Sequence, residues 1–169
     1  FNSDAFKNAR FARVKSPAEV VASTLRLVGG WERPQPGLHP ISQEIRYMGQ
    51  DLLNPPTVEG WHTGKEWIDS GTLVERINFC ADQLGDVTKP GVQAIIKRLA
   101  SEGRTLSPER LVDRCLDMVG CYELPAETRD QLIEHARKGG QVQTGTEEFA
   151  QRVAQVLQLI VATQEYQFA

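Results

Sequence analysis

Start and stop signals for helices divide this chain into short segments. Ser16-Pro17 and Ser107-Pro108 each place a capping hydroxyl before a proline. This order suits the first turn of a helix, because the N–H groups of that turn have no partner within the helix. Glycines stand where the apolar pattern after each start breaks off: Gly29, Gly49, Gly85, Gly120 and Gly139. These start and stop signals predict short helices joined by loops.

Between these signals the apolar residues recur at helical spacing. Val21, Leu25 and Val28 repeat at i, i+4 and i+7, and no segment sustains the period of two expected of a strand. Counting their capping glycines, we expect about eight helices over 4–10, 17–29, 41–48, 72–85, 90–103, 108–120, 125–139 and 146–161. The predicted fold class is all-α, a single multi-helix bundle with one long loop that contains Pro, Gly and Trp.

Local residue types set the expected ends of several helices. Thr72 and Glu75 have capping-box spacing, so we expect Thr72 to begin the fourth helix. Thr144 or Thr146 is expected to cap the last and most apolar helix. Residues 31–40 contain three prolines and a glycine, which predicts a loop.

Composition and charge limit the class of protein. The 169 residues are 40% hydrophobic and 24% charged, which fits one helical domain over residues 1–169. Because the chain begins at Phe1 and not at methionine, we expect it to be a fragment of a longer protein whose upstream sequence is missing. A formal net charge of -3 argues against a nucleic-acid partner. No apolar run approaches the roughly 18 residues that cross a bilayer, so we expect no membrane span.

The densest basic cluster lies near the start of the chain, at Lys7, Arg10, Arg13 and Lys15. A cluster at this spacing is usually a solvated helix face. The alternative is a surface that binds an anionic partner.

The spacing of cysteines and histidines gives little support to a metal site. Cys80, Cys115 and Cys121 show no Cys-x-x-Cys pair, and the first two fall on apolar helix faces where we expect buried thiols. The three histidines are far apart in sequence and form no His-x-x-x-His pair. We therefore expect neither a metal nor another cofactor.

A rigid, non-helical loop is predicted after the third helix, over residues 49–67. Pro55 and Pro56 fix two φ angles, remove two backbone donors and push the preceding residue into an extended conformation. Gly60 and Gly64 allow sharp turns on both sides of residues 61–63. The loop therefore combines stiff and sharply turning segments.

Two of the three tryptophans, Trp61 and Trp67, lie on this loop. In one interpretation both indoles pack against the helical core while each Nε1 donates to a carbonyl. In the other, one indole stays exposed as a flat platform for a sugar ring or for a partner's side chain. We favour the first, because long irregular loops usually need aromatic anchors. Trp61→Ala should then cost about 3 to 5 kcal/mol of stability, as for other buried tryptophans.

Several groups of residues together carry a family resemblance. They are Lys15–Val21 with 24–26, then 48–50, the pairs Pro55-Pro56 and Gly60-Trp61, Gly64 and Trp67, and finally Leu73, Arg76 and Asn78. The ending 159–167 also fits, with Gln164 at a position where proline is more usual. On these residues the chain resembles the C-terminal part of the bacterial domain-of-unknown-function family 1800.

The resemblance implies an architecture and a set of signature positions, but no reaction. The family has no established activity, its full-length members carry a further N-terminal helical part, and they often look like exported or envelope proteins. Matched residue by residue, the signature positions are Pro55, Pro56, Gly60, Trp61, Gly64, Trp67, Arg76 and Asn78. They mark a family pattern and not a catalytic set.

An enzyme is also conceivable, because four carboxylates lie near His62 between residues 51 and 69. A histidine with carboxylates can perform acid–base chemistry. The spacing matches no catalytic motif, so we assign no catalytic residue. Arg76 and Asn78 are interpreted as structural, with the arginine bonding loop carbonyls that the prolines and glycines leave unpaired.

Two functions from different classes follow. The first is a helical binding or assembly module of a larger, exported protein, which docks a protein partner or a glycan through Trp61, His62 and Trp67. The second is a hydrolase-like enzyme whose active site is completed by an N-terminal part missing from this sequence. Convergence of His62 and its neighbouring carboxylates in one pocket would favour the second.

Overall fold

Helices account for the regular secondary structure of the described residues. The structure, a computed structural model, describes residues 2–9, 12–31, 33, 36–120, 123–138 and 140–168. In these ranges the α-helices α1 to α9 are Asp4–Lys7, Pro17–Val28, Leu38–Tyr47, Ser70–Gly85, Pro90–Ala100, Pro108–Val119, Ala126–Arg137, Glu147–Val161 and Gln164–Gln167. A short 3-10 helix, Gly64–Trp67, precedes α4. The all-α prediction is confirmed.

The N-caps of three long helices are those predicted. Ser16 accepts a hydrogen bond from the N–H of Glu19, and Oε2 of Glu19 accepts one from Ser16 N at 2.8 Å, which completes the capping box of α2. Ser107 and Thr146 accept from the backbone N–H three residues further on, at the starts of α6 and α8. Each bond satisfies a donor that the first turn leaves open.

The predicted start of α4 is wrong. Asp69 is its N-cap, and the Asp69 carboxylate accepts from the N–H of Gly71 at 2.8 Å and of Thr72 at 2.9 Å. Thr72 lies three residues inside the cap and its hydroxyl accepts from Asp69 N. A carboxylate accepts two donors at once and adds a negative charge to the positive end of the helix. The hydrogen bond from Thr72 N is the main reason why the pKa of Asp69 is lowered.

The predicted helix ends are partly confirmed. α2 and α6 stop immediately before Gly29 and Gly120. α4 ends at Gly85, as predicted, whereas α3 stops at Tyr47, two residues before Gly49. The stop predicted at residue 139 lies outside the described residues.

Three short elements differ from the sequence prediction. α3 begins at Leu38 inside the predicted loop, with Pro40 as its third residue, because a proline is tolerated where the first-turn N–H groups need no helical partner. The 3-10 helix and α9 are each four residues long. Such lengths carry too little apolar periodicity to be recognised.

The core is built around α4 and α8, which pack against each other. α8 also contacts α6 and α7, and α2 packs against α4. Phe149, Leu157 and Ile160 of α8 are buried with Leu84 of α4 and Val28 of α2. This central cluster confirms that the apolar stripes of the separate helices face one another.

Cys80 and Cys115 lie in the core as free thiols, as predicted. Burial raises the pKa of Cys80 to about 11 and that of Cys115 to about 12. Both thiols are therefore neutral near pH 7 and act as small hydrophobic side chains. Cys121 lies outside the described residues.

The segment before α2 meets the end of the chain. Val14 forms an isolated antiparallel bridge with Phe168, and Lys15 N donates to Gln167 O at 2.9 Å. Nζ of Lys15 donates to Tyr166 O at 2.7 Å and lies 4.7 Å from the centre of the Tyr166 ring. The segment before α2 and residues 166–168 are thus held together by hydrogen bonds and a cation–π contact.

Gly91, in the first turn of α5, is expected to exclude any larger residue. A Cβ at this position would overlap the carbonyl oxygen of Leu27 and lie 2.8 to 2.9 Å from backbone atoms of Val28. Glycine to alanine usually stabilises a helix by about 1 kcal/mol, but Gly91→Ala should destabilise the domain by about 1 to 3 kcal/mol, because α5 must move away from α2. Urea unfolding followed by circular dichroism measures this difference.

Gly71 provides a matched control, because it is also the second residue of its helix, α4. A Cβ there would meet only a side-chain oxygen of Asp69, at 3.3 Å. Gly71→Ala should therefore change stability less than Gly91→Ala. Equal midpoints for Gly91→Ala and the unaltered protein would contradict the close approach of α2 and α5.

Candidate functional site

The loop between α3 and the 3-10 helix is fastened at its first residues. Gln50 N donates to Ile45 O at 3.0 Å, and Gln50 Oε1 accepts from Ala18 N at 2.9 Å. Ala18 lies in the first turn of α2, whose N–H groups have no helical partner. The buried Gln50 side chain therefore serves as a second cap for α2 and fixes where the loop leaves the bundle.

Two turns and one indole close the loop on itself. Asn54 N donates to Asp51 O at 3.1 Å, and Gly60 N donates to Thr57 O at 3.1 Å. The Thr57 hydroxyl donates back to Gly60 O at 3.2 Å, and Gly60 has a φ of 109°, which suits glycine. Nε1 of Trp61 donates to Asp51 O at 3.1 Å. Trp61, which is half-buried, thus anchors the loop to its own backbone.

Three aliphatic side chains project from this closed loop, and we call Leu52, Leu53 and Val58 the apolar tip. Leu53 is 95% exposed and Val58 is fully exposed. Leu53 also has a φ of 63°, in the left-handed region that leucine rarely adopts. The sequence prediction missed these residues. In the sequence, these three apolar residues follow a predicted helix end and lie on either side of Pro55 and Pro56. They therefore belong to no predicted apolar helix face, which was the sign that they could be exposed.

Trp67 is the buried tryptophan of the pair, with 6% of its surface exposed. Its carbonyl accepts from the Thr72 hydroxyl at 3.1 Å. The His62 ring packs edge-on against the indole, with 6.2 Å between ring centres. Trp67 therefore joins the 3-10 helix to α4, outside the central core cluster.

His62 lies close to one carboxylate of this region, that of Glu66, whereas Asp51 and Asp69 bond elsewhere. Nδ1 of His62 lies 3.5 Å from Oε2 of Glu66, and these two side chains are 55% and 67% exposed. Asp51 bonds within the loop, and Asp69 caps α4. Across the described residues, no group of three or more His, Cys, Asp or Glu side chains is placed to hold a metal ion.

Arg76 binds a different segment from the one predicted. The residue is fully buried on α4, and its Nη1 donates to Lys15 O at 2.9 Å. Its Nε and Nη2 find no hydrogen-bond partner among the described residues, which include the whole Pro/Gly loop, so the interpretation that Arg76 bonds this loop is wrong. The inward face of α4 at this position meets the segment before α2. Asn78, two residues on, is exposed on another face of α4.

Comparison with known proteins identifies the family. A family model described as protein of unknown function (DUF1800) matches residues 1–168. The chain belongs to the DUF1800 family. No curated protein and no solved structure matches it. The function of this DUF1800 domain has to be argued from its own surface.

Exposed apolar side chains are concentrated on the loop of this DUF1800 domain. Among the described residues, seven large hydrophobic side chains are exposed: Phe6, Leu38, Tyr47, Leu52, Leu53, Val58 and Val74. Three of these seven form the apolar tip. Single exposed apolar residues need no explanation, but three on one loop stand out among the described residues. Within the described residues, no helix has the length and apolar character to cross a bilayer.

Proposed function

We propose that this DUF1800 domain is a protein-binding module that docks a partner through the apolar tip. The observation that carries the proposal is Leu53, which is 95% exposed while its backbone holds a left-handed φ of 63°. Leaving a leucine in water forgoes about 1.5 to 3 kcal/mol of burial. The left-handed backbone adds about 1 to 2 kcal/mol. A residue that is unfavourable in two ways in the free domain is a candidate contact residue.

The hydrogen bonds around the tip prepare it for binding. Asp51 accepts from both Asn54 and Trp61, and Thr57 and Gly60 close the second turn. A contact loop that is already ordered loses little conformational entropy when a partner binds. The loop is thus suited to present Leu53 and Val58 in one fixed geometry.

The side chains favour a protein partner over a glycan. A sugar ring stacks on an open, flat aromatic face, but Trp61 is half-buried and its Nε1 is bonded to Asp51 O. Leu53 and Val58 are branched aliphatic chains, and each gains about 1.5 to 3 kcal/mol when an apolar pocket removes it from water. The partner should therefore offer an apolar pocket for these two side chains.

Site-specific photo-crosslinking in the full-length protein tests the proposal. A photoreactive phenylalanine analogue at position 53 is expected to capture one protein partner in the native cells, and the same analogue at position 74 is not. Val74 is the matched control, because it is also an exposed aliphatic residue but lies on α4.

Substitution of the two most exposed side chains of the apolar tip tests the proposal quantitatively. Leu53→Ser with Val58→Ser should weaken binding of the captured partner by about 30-fold or more, because a hot-spot side chain contributes about 2 kcal/mol or more. Stability should change by less than about 0.5 kcal/mol, since both side chains are exposed. Equal capture from positions 53 and 74, or unchanged affinity in the double variant, would refute the apolar tip as a docking surface.

A further inference from the structure

A groove with a different character lies where α2 and the N-terminal half of α3 face each other. Its volume is about 710 Å³. The lining on the helices is apolar, from Ala22 and Leu25 of α2 and from Leu38 and Ile41 of α3. Trp31 closes one side. The groove is of the size and lining that small-molecule sites in proteins have.

The indole of Trp31 lies beside the backbone of Gly37. The φ of Gly37 is 106°, and a Cβ there would lie 3.5 Å from Cη2 at the outer edge of the indole. The indole edge therefore rests beside the backbone where the chain turns into α3. Trp31 is half-buried by this packing and contributes the rest of its surface to the groove.

Two arginines give the groove its charge. Arg26 on α2 and Arg33 beside Trp31 both line it, and both are exposed. Among the described residues, neither guanidinium has an ion-pair partner, and the same holds for Arg76, Arg98 and Arg104. The other described arginines pair with carboxylates: Arg13, Arg46, Arg110, Arg114, Arg129, Arg137 and Arg152. The described lining of the groove carries two cations and no carboxylate, in a chain with a formal net charge of -3.

Two helix termini of opposite dipole meet at one side of the groove, the C-terminus of α2 at Gly29 and the N-terminus of α5. Gly29 also lines the groove, and a Cβ at Gly29 would lie 3.4 Å from Gly91 N and 3.6 Å from Cβ of Pro90. The N-terminus of α5 therefore abuts this side of the groove, and its N-cap, Lys89, provides no side-chain cap. The helix dipole favours negative charge at this end.

We propose that the groove binds a small amphiphile, with an apolar body against Leu25, Trp31 and Ile41 and one anionic group between Arg26 and Arg33. The apolar lining supplies area for the body, and guanidinium groups donate charge-assisted hydrogen bonds to carboxylate or phosphate oxygens. This site is independent of the apolar tip, because it shares no residue with it.

Titration with dodecanoate below its micellar concentration tests the proposal, read from the indole N–H signals in ¹H–¹⁵N spectra. The probe is expected to shift the signal that Trp31→Phe removes and to leave those of Trp61 and Trp67 in place. Dodecyl maltoside, with the same chain and no charge, should bind at least about tenfold more weakly. Added salt should weaken dodecanoate binding, because both arginines are exposed.

Substitutions separate a built site from general detergent binding. Arg26→Gln with Arg33→Gln should weaken dodecanoate at least about tenfold, whereas Arg98→Gln, an exposed arginine on α5 away from the groove, should leave the affinity unchanged. Circular dichroism checks that the variants keep their helices. Equal affinities for the charged and neutral probes, equal effects of both sets of substitutions, or shifts at Trp61 or Trp67 instead would overturn the proposal.

Discussion

Trp67→Ala is expected to lower the free energy of unfolding by about 3 to 5 kcal/mol, the typical cost of truncating a buried tryptophan. Trp67 is 6% exposed, and its indole packs against the His62 ring. Trp61→Ala should cost less, about 1 to 2 kcal/mol, because Trp61 is half-buried and its loss removes one hydrogen bond to Asp51 O. The structure thus makes Trp67 the larger anchor of the two.

Chemical denaturation of both variants measures this order directly. Trp31→Phe provides the spectroscopic control, since it lowers the fluorescence background without touching the loop. A larger loss for Trp61→Ala than for Trp67→Ala would contradict the burial argument, and a loss of about 3 to 5 kcal/mol for Trp61→Ala would agree with the prediction from sequence. An unfolding midpoint unchanged by Trp61→Ala would instead favour the exposed-platform interpretation of that indole.

Substitution of Arg76 by alanine and by methionine is expected to change the free energy of unfolding by different amounts. Arg76→Ala should cost about 2 to 5 kcal/mol, because it removes the bond to Lys15 O and leaves a cavity in α4's buried face. Arg76→Met keeps most of the aliphatic volume and removes a buried cation whose Nε and Nη2 have no partner in the part of the chain that the structure describes. Because burying an unpaired charge is costly, Arg76→Met should be within about 1 kcal/mol of the parent or more stable.

Urea unfolding of the two Arg76 variants at neutral pH gives both values. Arg98→Met is the control for changing an exposed arginine on a helix, and it should stay within about 0.5 kcal/mol. If Arg76→Met destabilises as much as Arg76→Ala, the guanidinium is worth more in the fold than its single bond to Lys15 O suggests. The segment before α2 would then depend on the charge itself.

The two proposed binding surfaces lie at opposite ends of α3 and suit ligands of different chemistry. The groove lies beside Leu38 and Ile41, near the start of that helix. The apolar tip follows its end and offers uncharged, branched side chains. Crosslinking at position 53 and titration with dodecanoate can therefore succeed or fail independently.

The sequence alone determined the helical fold class and many helix boundaries. Ser16, Ser107 and Thr146 act as caps through bonds to residues three positions away. Gly29 and Gly120 end helices for equally local reasons. Such features depend on neighbouring residues only, so they are readable without tertiary contacts. The apolar stripes likewise gave the buried faces, including Cys80 and Cys115.

The sequence alone did not decide which of two neighbouring residues caps α4. Thr72 and Asp69 both have capping side chains, and the carboxylate prevails because it accepts from two N–H groups at once. The outcome depends on where the chain leaves the 3-10 helix, a turn too short to show a periodic pattern.

Only the tertiary structure decided which side chains of the loop are buried and which are exposed. Trp61 and Trp67 have the same chemistry, and Leu53 is as apolar as any core leucine, so composition cannot rank their burial. Their exposure depends on bonds that span long stretches of sequence, such as the one between Gln50 and Ala18. The partner of Arg76 is likewise 61 residues away. Local sequence specifies which groups need partners, and packing of distant segments decides which partners they find.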